Sequence, residues 1–187
     1  MSTQKHDRKQ RKQVIVSPLA WIGITFVLII ALSTLPFLDY APLGEKVDIL
    51  SDTSHVPEGS DPGPYNSDPP TSGRHYEEHF TSRFFETNSY AYPEGFLVHN
   101  LEHGYIIFWY NCDILTTQEC AALKSDIKSV MEGVDMYKVI AFPWTSIRQP
   151  VVMTSWGRIL RFEQFDPKVA ATFIEKYQNH APEPQGD

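Results

Sequence analysis

The stretch Phe96–Tyr110, FLVHNLEHGYIIFWY, decides how this chain folds. His99, Glu102 and His103 fall within five residues, directly ahead of an apolar run. On a helix, residues i and i+4 lie one turn apart on one face, so His99 and His103 could grip one ion. On a strand they would share a face about 13 Å apart, four rises of ~3.3 Å, too far for a common metal. A site here therefore requires a turn or short helix. Gly104 is a suitable stop for it, because glycine adopts the left-handed C-cap conformation cheaply. Tyr105–Tyr110 reads as a buried strand, being short, apolar and rich in aromatics and isoleucine.

Downstream, Thr116–Met131 has the pattern of an amphipathic helix. Thr116 or Thr117 can cap it, Glu119 suits the dipole, and Leu123, Ile127, Val130 and Met131 recur at helical spacing. Gly133 ends it. Tyr137–Phe142 is a second strand, and Val151–Ser155 with Arg158–Phe162 form a hairpin around Trp156-Gly157. Asp166 caps a last helix with Pro167 at its first position and Val169, Phe173, Ile174 and Tyr177 inward. The fold expected is α+β, one small β-α-β-β-β-α domain, an order compatible with a thioredoxin-like arrangement.

Upstream, residues 1–13 form a basic arm holding Lys5, Arg8, Lys9, Arg11 and Lys12 against the single acid Asp7. Residues 14–38 are predominantly apolar, long enough for one transmembrane helix, and the basic arm predicts a cytoplasmic N-terminus. A cleaved signal peptide is the alternative, with Ala31-Leu32-Ser33 as a poor small-x-small cleavage site. Either way, the bulk of the chain is expected outside the cytoplasm, at the cell membrane. Residues 39–64 read as a linker, since Pro57, Pro62, Pro64, Gly59 and Gly63 oppose helix and central strand. Residues 65–183 are the extracytoplasmic globular domain. From Asp39 onward there are 11 Lys+Arg and 22 Asp+Glu, a formal charge of 11 − 22 = −11. Such acidity argues against nucleic acid as a partner and suits metal ions, although solubility alone is the favoured explanation.

Cys112 and Cys120 are the only cysteines. In an exported domain they are expected to form a disulfide pinning the strand end to the first helix. Their C-x7-C spacing lacks the tight C-x-x-C geometry that tunes a redox pair, so oxidoreduction does not follow from a thioredoxin-like order.

Three segments, PPTSGRH (69–75), LVHNLEHGYIIFWY (97–110) and TSWGRILRFEQFD (154–166), with FIEKYQNHAPE (173–183) closing, carry a family resemblance. Together they resemble domain of unknown function 3105, bacterial proteins often anchored by one N-terminal helix. The resemblance covers most of residues 65–183, and its paired PPTSG-x-H and HNLEHG motifs are specific. It implies that His75, His99, Glu102 and His103 belong to the family signature, and it implies no activity.

Two histidines one turn apart, joined by a third from a rigid loop, are how three-ligand metal sites are assembled. His75, His99 and His103 are the expected ligands; His79, Glu102 and His180 are secondary candidates. The 75–79 match to H-x-x-E-H stands outside the family pattern. With no soft ligand in the cluster, zinc or copper is the expected metal. The competing reading is a structural or partner-binding module whose histidines lock a loop onto the sheet. A third makes Glu102 the water activator of a metal-dependent hydrolase, since H-x-x-E-H is also the inverted zinc-peptidase signature. Against it stand the short helix and the missing downstream glutamate motif. Glu102 adjoins His103 and points about 100° away on a helix, which favours an orienting or water-activating role over ligation.

Overall fold

The computed structural model describes residues 42–186. Its elements are β1 (Glu45–Lys46), β2 (Arg83–Phe84), α1 (Glu94–Glu102), β3 (Ile106–Tyr110), α2 (Thr117–Glu132), β4 (Val139–Pro143), β5 (Val151–Ser155), β6 (Arg158–Phe162) and α3 (Pro167–Tyr177). The strands form one six-stranded mixed sheet in the order β1-β6-β5-β3-β4-β2. β4 runs parallel to β3 and β2, whereas β5 is antiparallel to both β3 and β6.

Every residue of β3 is buried because both faces of the sheet are covered. Its side chains alternate between two cores. Ile106, Phe108 and Tyr110 meet Val139, Ala141, Val151, Met153 and the inner sides of α2 and α3. Ile107 and Trp109 meet Ile140, Phe142, Val152, Leu97 and Leu101. The period of two along a strand thus sorts one apolar run into two layers. α2 opens with a capping box: the Thr116 hydroxyl accepts from the Glu119 amide, and the Glu119 carboxylate accepts from the Thr116 amide. α3 opens on Asp166, whose carboxylate accepts from the Lys168 and Val169 amides.

α1 is the element that positions the site. Two of its glycine contacts explain its tight seating. A Cβ on Gly95 would collide with the buried ring of Tyr76, so this close approach demands glycine. Gly104 takes φ +82° just past the helix, and a Cβ there would lie 2.6 Å from Asn179 Cα. That turn redirects the chain from α1 straight into β3.

The expected fold, a transmembrane helix followed by a β-α-β-β-β-α domain, needs correction. Two edge strands and α1 precede the central strand, so the order is β-β-α-β-α-β-β-β-α. A four-stranded thioredoxin-like description does not fit this six-stranded sheet. Two-residue edge strands have no periodicity to read, which is why they escaped notice. Among the described residues no helix is long and apolar enough to cross a membrane. The span expected at 14–38 lies outside the described residues. The stretch read as a linker contributes β1, which pairs with β6.

The structure bonds Cys112, just after β3, to Cys120 in the first turns of α2. Thiol titration of the denatured, unreduced chain is expected to find none, and two reactive thiols would refute the bond. Reduction should cost somewhat less than the ~3 kcal/mol of a 15-residue loop, because this loop is shorter.

Candidate metal centre

A helix turns about 100° per residue, so Leu97 and Leu101 face the sheet while His99 and His103 point to the opposite side. Around the axis, Glu102 lies about 60° to one side of His99 and His103 about 40° to the other. His99 therefore stands between two neighbours that diverge. The structure exploits this divergence. Glu102 Oε2 lies 3.0 Å from His75 Nε2, and His103 Nε2 lies 3.0 Å from His99 Nε2. Two groups of potential ligand atoms result, His55/His75/His99/Glu102 and His79/His99/His103, each with all its atoms within 4.8 Å of one another. Ligand atoms bound ~2.1 Å from one ion at a tetrahedral angle sit about 3.4 Å apart, so both 3.0 Å pairs are near ligand spacing.

His75 closes the PPTSGRH loop against a second segment. A parallel β-bridge joins it to His55, through Val56 N–H donating to the His75 carbonyl at 2.8 Å. Paired residues of a bridge present side chains to the same face, which brings the two rings to 4.8 Å between centroids. His75 Nδ1 lies 2.9 Å from the Gly73 carbonyl, which can only accept, so the proton of the neutral ring belongs on Nδ1. Nε2 faces the Glu102 carboxylate, a contact that calls for a proton or a cation between the two. It is fully buried, and the Glu102 carboxylate 3.0 Å away is the group it faces. An imidazole whose N–H is held by a backbone carbonyl while its other nitrogen points at further donors is the arrangement of a metal-ligating histidine.

His79 is placed by its neighbour. Phe80 N–H donates to Asn100 Oδ1 at 3.0 Å, and Asn100 Nδ2 donates to the Phe80 carbonyl at 2.7 Å. This two-point clamp fixes the backbone beside His79, whose ring lies 5.3 Å from that of His99 and 5.0 Å from that of His103. At the end of α1, the Lys138 ammonium donates to the His103 carbonyl at 3.0 Å and to the Pro184 carbonyl at 2.8 Å. A cation at a helix C-terminus is favourable, and this one also ties residues near the chain end to the site.

Charge is distributed unevenly over the cluster. Burial and four neighbouring imidazoles lower the His99 pKa to about 4, so this ring stays neutral at ordinary pH. Burial would lower His75 as well, but the Glu102 carboxylate and the Gly73 carbonyl outweigh it and leave His75 above the usual histidine value. For Glu102 burial acts upward, and the contact with His75 together with the other imidazoles wins, holding it below the usual carboxylate range. Both shifts favour a proton on His75 beside an ionised Glu102, and a cation can take the place of that proton.

A family model described as Protein of unknown function (DUF3105) matches residues 57–187, more than half of the chain. The chain belongs to this family. The DUF3105 match takes in His75, His79, His99, Glu102 and His103, and begins just past His55. No curated protein and no solved structure matches the chain.

Against the sequence expectations, His75 joins His99 and Glu102, whereas His103 joins His99 and His79. His75 and His103 fall in different groups. Glu102 stands among the potential ligand atoms rather than behind them. His180 is exposed and belongs to neither group. Two residues were missed. His55 sits alone in a Pro/Gly-rich stretch, and only the backbone bridge to His75 reveals it. Asn100 lies inside HNLEHG, between the histidines, where its polar side chain on a helix of buried residues was the available signal.

Proposed function

We propose that this domain binds a transition metal ion at His55, His75, His99 and Glu102, with zinc or copper as the class that three imidazoles and one carboxylate favour. The observation that carries this reading is the buried His75 ring, oriented by the Gly73 carbonyl at Nδ1, with Nε2 3.0 Å from the Glu102 carboxylate in a group that His55 and His99 complete. The hydrolase reading is less favoured, because the Glu102 carboxylate is engaged with His75 and its group does not include His103. The Cys112–Cys120 bond supports an oxidising, extracytoplasmic setting for the domain.

The test is a set of thermal melts of the purified full chain, metal-free and with zinc or copper added, at pH 7.5. A raised melting temperature with at least one metal is expected. Glu102→Gln should reduce the rise, since it removes the one anionic ligand. A melting point indifferent to every metal tried would refute the reading in favour of a histidine lock.

A further inference from the structure

His99 is shared by the two groups, and its ring is their hub. Its centroid lies 5.3 Å from that of His55, 5.0 Å from His75, 5.3 Å from His79 and 4.4 Å from His103. One nitrogen, Nε2, is 3.0 Å from His103 Nε2. The other, Nδ1, is buried with no hydrogen-bond partner, in a residue only 6% exposed. The two nitrogens of an imidazole point in divergent directions, so one ring can serve two ions. Its neighbours on the helix, Glu102 and His103, diverge in the same way.

We infer that the cluster is a two-metal centre: His79, His99 Nε2 and His103 hold a second ion, and His99 Nδ1 serves the first. This rests on the proposed metal-binding reading and extends it from one ion to two. His99 bridges as an imidazolate, its ring N–H proton being released to solvent as the second divalent ion binds. Protons and charge then balance, with one proton lost for the second ligation. With a ring between them, the ions lie further apart than the ~3.5–4 Å of two-metal hydrolases. The second group supplies three imidazoles and leaves further positions open, and each group has one member toward solvent, His55 exposed in the first and His79 half-buried in the second.

The experiment is metal stoichiometry of the full chain, loaded with zinc or copper and desalted, by elemental analysis. Two ions per chain are expected. His79→Gln should bring this to one, and so should His55→Gln, each removing a ligand unique to its own group; circular dichroism reports whether each variant keeps its fold. Spin resonance of the copper-loaded wild type needs no variant and should show a coupled copper(II) pair, converted to an isolated-ion spectrum by His79→Gln. Wild type holding a single ion, with both variants abolishing it, would overturn the two-metal centre while leaving metal binding intact. Wild type holding none would overturn both.

Discussion

His99→Ala is expected to abolish the metal-dependent rise in melting temperature, where substitution of any other histidine in the cluster leaves part of it. The reason is position: His99 alone belongs to both ligand groups. A ligand present at 100 times its Kd stabilises a folded protein by ~2.7 kcal/mol. In a domain of this size each kcal/mol is worth about 2–4 °C, so wild type should gain roughly 5–11 °C and His99→Ala nothing. Retention of half the gain in His99→Ala would show that the hub is misassigned. Proton competition gives a second readout. His75 must lose a proton to ligate and holds it above the usual histidine value, so affinity should already decline on acidification from above ~6.5. His99, lowered to about 4, is neutral and ready throughout.

The metal-free protein has its own pH dependence, and the two rings act in opposite senses. The unfolded His99 takes up a proton below ~6.5, while the folded one refuses it until about 4. That contribution to stability is present above ~6.5 and is lost as pH falls across this window. His75 has a raised folded value, so its contribution is complete below ~6.5 and disappears as pH rises through that higher value. Glu102 has a lowered value, and its contribution is lost only when acid protonates it below the usual carboxylate range.

Asn100→Ala is expected to be strongly destabilising although Asn100 is not among the ligands. It strands the Phe80 amide and carbonyl, both buried and both bonded to the Asn100 side chain. At ~1–3 kcal/mol for each unsatisfied group, the loss should be about 2–6 kcal/mol. At about 2–4 °C per kcal/mol, that corresponds to a fall of roughly 4–24 °C in melting temperature. Asn100→Asp keeps an acceptor for the Phe80 amide but loses the donor to its carbonyl, and should fall between wild type and alanine. A melting point of Asn100→Ala within about 2 °C of wild type would show that the clamp does not hold the His79 segment.

Local rules were enough for much of this chain. The Tyr105–Tyr110 strand, the Thr116–Glu119 cap, the 151–155/158–162 hairpin and the Asp166-Pro167 helix start all rest on residues a few positions apart, where propensity and hydrogen-bond chemistry act directly. The pairing of His99 with His103 is of the same kind, because helical spacing alone brings their nitrogens together. What lies across the sequence was not local. β1 and β2 are two residues each and exist only because β6 and β4 offer edges to pair with. His55 enters through a backbone bridge spanning twenty residues to His75, and nothing in its own neighbourhood marks it. The division of the histidines into two groups follows from helix geometry only once it is known which loop lies on each side of α1. The chain's own pattern determined that α1 would carry a cluster of donors; the packing of the 55, 75 and 79 segments around it decided which donors meet, because each contact depends on backbone bonds formed between distant parts of the chain.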